Sequence, residues 1–184
     1  MGEKLMFREI EMIPKTEIHW RWERCRKIIS DLLPQVKGIL VFSRLNIYYL
    51  SGHWGAGVFW LPLKGEPVLL VRKGIERAKL EANVKHIVSF RSHREIVKIL
   101  SELGAGLPER VAAEMSGISW ELGQGLCKKI PECEFWPGDL ALKKTRMVKS
   151  KWELEKIRLA GQRHDQCLQQ DLPQLIRPGM TERD

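Results

Sequence analysis

The sequence alternates between short apolar runs and amphipathic segments, and this alternation constrains its fold more than any other feature. Runs rich in β-branched and aromatic residues predict buried strands, whereas apolar residues spaced three or four apart predict helices. Lys64-Gly65 lies between two such runs and predicts a hairpin. Because strands and helices alternate around this hairpin, we expect an α/β fold, a three-layer domain with a mixed β-sheet flanked by helices. The predicted strands are residues 38–42, 57–61, 67–71, 86–90, 110–113 and 134–136.

Caps and breakers mark the ends of the predicted helices. Thr16 is the expected N-cap of the first helix, and Pro34 is its expected stop. Ser150 and Glu153 have the spacing of a capping box and predict the start of a long helix that Pro173 should end. The predicted helices are residues 17–33, 75–82, 93–103, 120–130 and 151–170.

The composition is that of a globular protein. The chain has 184 residues, 43% of them hydrophobic, which is enough for one domain with its own core. No apolar run reaches the ~18 residues that a membrane helix needs, so we expect no membrane partner. The first residues lack the apolar stretch of a secretory signal. None of the four cysteines is spaced as Cys-x-x-Cys, which favours reduced thiols and a cytoplasmic protein.

The positive charge is spread along the chain. The formal net charge is +8, and its densest part lies in residues 143–151. Few aromatic residues are interleaved with that run, and no nucleic-acid recognition motif is present. We therefore predict a solvated linker there and no nucleic-acid partner.

Motifs of known catalytic centres are missing from the sequence. It contains no HExxH, no GxxxxGK[ST] and no GxSxG. A hydrolytic metal site needs several ligands that converge on one ion, and the spacing of the histidines and aspartates does not supply them. We predict no catalytic residue and no metal ligand in this chain.

The segment from Asn46 to Gly55 carries the clearest functional signal. Asn46 can cap a short turn of helix, and Gly52 lets the chain turn sharply. His53 and Trp54 lie in the loop that follows, where binding residues concentrate. In one interpretation His53 is a solvated loop residue and Trp54 covers the core. In the other, both are substrate-binding residues, with Trp54 as an apolar wall and His53 as a hydrogen-bond donor to a peptide carbonyl or carboxylate.

Three further side chains are open to a structural and a functional interpretation. Glu114 follows the strand at residues 110–113 and is expected to be a local charge partner or an anchor for the next turn. Trp20 and Trp152 are expected to be exposed from their helical phase, and exposed tryptophans are candidates for a partner interface.

Four segments occur in an order that indicates a family. Residues 46–52 are similar to an Asn-aromatic-Leu-Thr-Gly signature, with Ser51 in place of Thr, and residues 111–115 follow a strand as in that family. Residues 146–160 resemble its linker, and residues 178–182 resemble the start of its catalytic half. The chain thus resembles the N-terminal domain of the creatinase, prolidase and Xaa-Pro aminopeptidase group, the larger pita-bread metallopeptidases.

This resemblance implies a division of the chain. Residues 1–148 would form the N-terminal domain, which has a ribonuclease H-like motif. Residues 149–184 would form the linker and first helix leading into a C-terminal catalytic domain that this chain lacks. Thr181 and Asp184 have capping-box spacing, so the chain ends where a helix should begin. We therefore expect a fragment of a longer protein.

The resemblance also implies a function. This chain alone would not be an enzyme, and the parent protein would be a metallopeptidase, a hydrolase that cleaves Xaa-Pro bonds. Two divalent metal ions, Mn, Co or Zn, would be held beyond residue 184 by two Asp, one His and two Glu. The N-terminal domain would form a homodimer. Its loop with His53 and Trp54 would reach the partner's active site and a proline-containing peptide substrate.

Other functions stay open. Some relatives are inactive, so a catalytically inactive, peptidase-like module that binds other proteins is the alternative. Charge alone would also allow a nucleic-acid binder whose affinity falls steeply with salt. The sequence does not distinguish an Xaa-Pro dipeptidase, an Xaa-Pro aminopeptidase and a creatinase-like amidinohydrolase.

Overall fold

A six-stranded mixed sheet lies at the centre of the part of the chain, residues 12–181, that the computed structural model describes. Its strands are β1 (Gly38–Val41), β2 (Gly57–Pro62), β3 (Val68–Val71), β4 (His86–Ser89), β5 (Arg110–Ala113) and β6 (Glu134–Pro137). In space they follow the order β4-β3-β2-β1-β5-β6. All the predicted strands are present, with ends within one residue of those predicted.

The directions of the strands decide which loops meet. β2 is antiparallel to both β1 and β3, and Trp60 pairs with Val68 across the predicted hairpin. The pairs β3–β4, β1–β5 and β5–β6 are parallel. Every strand except β2 therefore points the same way. The loops that follow these strands share one edge of the sheet with the loop before β2, and we call this the carboxyl edge.

Helices cover both faces of the sheet. One hydrophobic cluster joins Leu40 of the sheet to Ile96 and Leu126 of two helices. Alternate strand residues such as Ile39 and Phe59 are fully buried on the other face, where two more helices contact β2. The predicted three-layer α/β fold is confirmed. The helices before residue 148 are α1 (Lys15–Leu32), α2 (Arg44–Ser51), α3 (Ile75–Glu81), α4 (Glu95–Glu102), α5 (Trp120–Lys129) and α6 (Asp139–Met147).

Helix α6 corrects the prediction for the basic run. A solvated linker is wrong for the first part of residues 143–151, because that part is helical. Ala141 and Thr145, one helical turn apart, are buried, and α6 packs against α1. Arg24 Nε donates a hydrogen bond to the carbonyl oxygen of Thr145 at 3.1 Å. The lysines between them face solvent, so charge dominates the composition while a narrow buried stripe determines the structure.

Two predicted helix caps are wrong. Helix α1 begins after Pro14 rather than Thr16, which lies inside the helix. A proline suits that position because its fixed φ is compatible with the first turn and its missing N–H is not needed there. The cap of α2 is Ser43, whose Oγ accepts a hydrogen bond from the backbone N–H of Asn46 at 3.3 Å. Asn46 lies within α2, where its side chain makes a tertiary contact instead.

The chain divides into two compact units between Met147 and Val148. The second unit begins with α7 (Lys151–Gln166). Ser150 Oγ accepts from the backbone N–H of Glu153 at 3.1 Å, and the Ser150 N–H donates to Glu153 Oε2 at 2.9 Å. The predicted capping box is confirmed. The predicted domain boundary between residues 148 and 149 stays a prediction.

Pro173 does not end the long helix of the second unit. The helix continues from α7 through a π-helical turn, Cys167–Asp171, into α8 (Leu172–Leu175). Pro173 lies at the start of this last turn. The wider π-helical turn before it accommodates a residue that lacks a backbone N–H, which explains why the proline does not stop the helix.

Candidate functional site

The N-terminal end of α2 is held by a buried glutamate. Glu114 is only 2% exposed and follows β5 at the carboxyl edge. It accepts hydrogen bonds from the backbone N–H groups of Phe42 and Ser43, both at 2.8 Å, and from Asn46 Nδ2 at 2.5 Å. Gly117 is packed so closely that a Cβ there would lie 2.6 Å from Glu114 Cδ. Glu114 is thus an anchor, but the prediction that it holds the turn following it is wrong, because its carboxylate holds the turn before α2 while Asp139 accepts the N–H groups of Met115 and Ser116.

The C-terminal end of α2 is held by α1. Arg21 Nη1 donates to the carbonyl oxygen of Tyr49 at 3.0 Å, and Trp22 Nε1 donates to that of Leu50 at 2.6 Å. Such carbonyls at a helix end have no partner within the helix and need an outside donor. Gly52 then reverses the chain with a left-handed φ of 86°. Both ends of α2 are therefore fixed to the rest of the fold.

The loop after Gly52 buries its histidine. His53 is 3% exposed, and its Nδ1 lies 2.7 Å from Oε2 of Glu81 in α3. Its backbone N–H donates to Ser51 Oγ at 3.1 Å. A Cβ at Gly55 would lie 2.1 Å from His53 Nε2, so the glycine lets the loop close directly over the imidazole. The imidazole is therefore enclosed by the loop and is not a solvated side chain.

Trp54 is displayed by the same loop. Its side chain is 49% exposed, and its ring meets that of Tyr48 edge to face at a centroid distance of 5.9 Å. Its backbone N–H donates to Glu81 Oε2 at 3.3 Å. The loop thus presents an aromatic surface at the carboxyl edge while Glu81 holds its backbone.

Glu81 is held in its charged form. Partial burial by itself would raise the pKa of this carboxyl group. Hydrogen bonds from Arg77 and His53, the charge of Arg77 and the N–H of Trp54 together outweigh that effect and hold the pKa below its ordinary value. Arg77 Nε bonds to Glu81 Oε1 within the same helix. The loop therefore rests on a carboxylate that stays ionised at neutral pH.

A second ionised carboxylate holds the turn beside Glu114. Asp139 accepts hydrogen bonds from the backbone N–H groups of Met115 and Ser116, each at 3.0 Å. Burial alone would raise the pKa of Asp139, but the hydrogen bonds from Ser116 and Met115 lower it overall. The carboxylates of Glu81 and Asp139 each hold the backbone of a loop, so we do not assign them as an acid–base pair.

Neither a metal centre nor a membrane segment occurs in the region described. Residues 12–181 contain no group of three or more His, Cys, Asp or Glu side chains placed to hold a metal ion. They therefore do not fit the two-metal centre that the resemblance assigns to a later part of the sequence. No helix in the same region is long and apolar enough to cross a bilayer.

The structure places the two predicted site residues differently. Trp54 is available to a ligand at the surface, whereas His53 is enclosed between Glu81 and Gly55. That both contact a substrate stays a prediction. Sequence reasoning missed Glu81 and Arg21, whose partners are distant in the chain. An acid in the first helix after a hairpin was the only available signal for Glu81, and it is too common to be informative.

The sequence identifies a family. Residues 21–148 match the Creatinase/Prolidase N-terminal domain. This match covers well over half of the chain, so the chain belongs to that family of domains, in agreement with the resemblance seen in its motifs. Among curated protein sequences, no significant match was found.

Solved structures share the fold. An Xaa-Pro dipeptidase from Bacillus anthracis aligns with a TM-score of 0.75 and 23% identity over 90% of this chain and 45% of its own. The prolidase from Pyrococcus furiosus gives a TM-score of 0.70 and 26% identity over 88% and 48%. An aminopeptidase P from Streptococcus thermophilus gives 0.58 and 20% over 70% of this chain and 98% of its own. The chain thus spans less than half the length of the first two proteins.

Proposed function

We propose that this chain is the non-catalytic N-terminal domain of a dinuclear-metal exopeptidase that cleaves Xaa-Pro peptides. Its family and its likeness to proteins named as dipeptidase, prolidase and aminopeptidase support this proposal. Residues 1–148 would be the domain, and residues 149–184 would lead into the catalytic domain. The two metal ions, Mn, Co or Zn, would be held there, and this chain would contribute binding surfaces rather than chemistry.

The observation that carries the proposal is the exposed Trp54 on a loop braced at its base by Glu81. A braced loop loses little conformational entropy when it binds a ligand. Less of the favourable contact energy is therefore offset by the cost of ordering the loop. In a homodimer, the Trp54 ring would form a flat apolar wall against a proline-containing peptide in the partner's active site. His53 would support that contact by keeping the loop closed. Direct contact between His53 and the peptide would require its bond to Glu81 to open.

The first test is the gene sequence beyond codon 184. A reading frame that continues for about 200 residues with two Asp, one His and two Glu in family order supports the peptidase proposal. A frame that continues without these ligands favours the alternative described below. A stop after codon 184 removes the peptidase proposal.

The second test is kinetic and uses the full-length protein. Trp54→Ala should raise KM for a dipeptide such as Ala-Pro by roughly tenfold and change kcat little, because the contact binds ground state and transition state alike. Trp120→Ala, which removes another exposed tryptophan, serves as the matched control. Sedimentation analysis should give a dimer for all three proteins. Unchanged kinetics in Trp54→Ala, or a monomer, contradicts the proposed role.

The alternative is a catalytically inactive module that binds other proteins. Trp120 is 80% exposed and borders a groove of about 530 Å³ with Phe42, Ile118 and Phe135 in its lining. Exposed aromatic side chains beside an apolar groove are typical of protein interfaces. Trp20 is also exposed, as expected, whereas Trp152 is half-buried rather than exposed. A partner that copurifies with the chain and is lost on Trp120→Ala would support this function.

We propose the cytoplasm as the site of action. All four cysteines, which lie within residues 12–181, are free thiols. Free thiols are usual in a reducing compartment. Fractionation of cells expressing the full-length protein tests this location.

A further inference from the structure

A basic cleft of about 760 Å³ lies at the carboxyl edge beside Trp54. The buried ring of Phe90 contributes to its lining, and Trp54 and Gly55 border it. Among residues 12–181, no acidic residue lines this cleft. Its charged lining residues are Arg44, Arg72, Lys73, Arg77 and Arg91.

The sheet order gathers these cations. Arg44 follows β1, Arg72 and Lys73 follow β3, and Arg91 follows β4. These three strands run in the same direction, so the residues after them all lie at one edge. Ligands of open α/β sheets commonly bind outside the carboxyl ends of the strands. The positions are far apart in sequence, and only the fold makes them one surface.

Four of the cations are available to a ligand. Arg77 is paired with Glu81. The side chains of Arg44, Arg72, Lys73 and Arg91 are exposed and form no hydrogen bond or ion pair with another residue of the described range.

Two acidic side chains on the adjacent helices, apart from Glu81, have other partners. Glu76 pairs with Lys79 at 2.9 Å, and Glu95 accepts from the backbone N–H of Arg91 at 3.2 Å. Within residues 12–181, neither of these carboxylates forms an ion pair with a cation of the cleft, whereas Glu81 pairs with Arg77.

The pKa of His93, which packs on Phe90 of the cleft, is affected by burial and also by nearby positive charge. His93 packs edge to face on Phe90 at a centroid distance of 5.5 Å. Burial lowers the pKa of His93, and the charges of Arg72 and Lys129 lower it further. Burial first, and then these positive charges, favour the neutral form of the imidazole beside Phe90.

The number of cations indicates the ligand. One guanidinium is sufficient to bind a single carboxylate in a bidentate pair. Four unpaired cations around a cavity of small-molecule size instead match several negative groups on one ligand. We propose that this cleft binds a small molecule that carries several phosphate groups, with Trp54 available to stack on a flat ring of the ligand. The cleft shares Trp54 with the proposed peptide contact, but its cations lie outside that loop, so phosphate binding by them does not rest on the proposed function.

Titration calorimetry on the full chain tests the proposal. The probes are inorganic tripolyphosphate and ATP in metal-free buffer at low salt, where exposed charges are least screened. Each should bind saturably at one site per chain. Arg72→Ala/Lys73→Ala should weaken binding by ~10-fold or more, since two charge-assisted contacts are lost.

Lys37→Ala/Lys64→Ala is the matched control. It removes the same charge from exposed lysines at the opposite edge of the sheet, before β1 and after β2. It should leave affinity within about twofold, and circular dichroism should show that both variants are folded. If neither tripolyphosphate nor ATP binds saturably, the proposal is overturned. An equal loss of affinity in the two double variants also overturns it, because net charge alone would then explain binding.

Trp54→Ala distinguishes a nucleotide ligand from an inorganic phosphate chain. If ATP binds more tightly than tripolyphosphate and this variant removes the difference, the ligand is a nucleotide whose base contacts the tryptophan. If the two probes bind equally and Trp54→Ala changes neither affinity, the site recognises the phosphate chain alone. Both results support a polyphosphate site and assign its ligand.

Discussion

Glu114 and Glu81 hold opposite ends of the same segment in different ways. Glu114 is buried and gathers three N–H donors from the turn before α2 and from Asn46. The side chain of Glu81 is 16% exposed and divides its oxygens between Arg77, His53 and the N–H of Trp54. The first contact is a buried structural bond, whereas the second lies near solvent and depends on charge. The entrance to α2 should therefore be rigid, and the loop after it should respond to substitution and to pH.

The largest effect is expected from Glu114→Ala. It leaves Asn46 Nδ2 and the N–H groups of Phe42 and Ser43 buried or half-buried without their acceptor. Loss of several such bonds should lower the free energy of unfolding by about 3 kcal/mol. Urea denaturation measures the change.

Glu114→Gln sharpens this result. The amide keeps one oxygen for the backbone donors but brings an NH₂ group towards Asn46 Nδ2, another donor. We expect a loss smaller than that of Glu114→Ala. Equal stability of wild type and Glu114→Ala would show that the turn is held by other contacts.

Gly55→Ala should produce the next largest effect. Its Cβ would lie 2.1 Å from His53 Nε2, so the loop must shift or the imidazole must leave its place. Overpacking of this kind costs about 2 kcal/mol. A double-mutant cycle with His53→Ala provides the check, because removal of the imidazole should remove most of the cost. Additive effects would mean that the strain arises elsewhere.

Glu81→Gln is expected to have a smaller effect that depends on pH. The pKa of Glu81 is lower in the folded protein than its ordinary value of 4.5, so its charged form is the one that stabilises the fold. That contribution is complete above about pH 5 and is lost as pH falls through the folded pKa. Near neutral pH the variant should lose about 1 kcal/mol.

Comparing wild type with Glu81→Gln at several pH values isolates the contribution of the Glu81 charge to stability. The difference in Tm between wild type and Glu81→Gln should shrink as the pH is lowered from about 6 towards 3. Glu76→Gln, in the same helix, is the control because Glu76 pairs with Lys79 near the surface and with no other residue that the structure describes. A Tm difference that does not vary with pH would contradict a role for the charge.

Trp54→Ala should have the smallest effect on stability. The side chain is half-exposed, and the bond that holds the loop comes from its backbone N–H, which alanine retains. We expect a change within about 0.5 kcal/mol by thermal denaturation. A larger loss would show that the Tyr48–Trp54 ring contact also supports the loop.

Much of the fold was predictable because the spacing of apolar residues along a helix or strand indicates which of its faces is buried. The hairpin at Lys64-Gly65 and the short strands followed from local patterns and are present. Helix α6 was missed because exposed lysines concealed the buried Ala141 and Thr145. The cap of α2 was misassigned because both Ser43 and Asn46 are good cap residues, and only the position of Glu114 decides that Asn46 is used elsewhere.

The candidate site was predictable only in part. The glycines around His53 and Trp54 indicated a tight loop, and such a loop is present, but it follows helix α2 rather than a strand. Sequence alone did not decide which of the two side chains is exposed. That depends on Glu81, which is 28 residues from His53 in the chain and contacts it through tertiary packing.

By itself the sequence determined the strands, most of the helices, their order and the family, because periodicity and motif order are local properties of the chain. Only the tertiary structure decided which residues meet. Strand pairing places the residues after β1, β3 and β4 at one edge, where Arg44, Arg72 and Arg91 form a basic cleft. It also encloses His53 against Glu81 while leaving Trp54 exposed. The local spacing of apolar residues indicates whether a residue is buried, but its contacts with residues distant in the chain depend on how the sheet and helices pack.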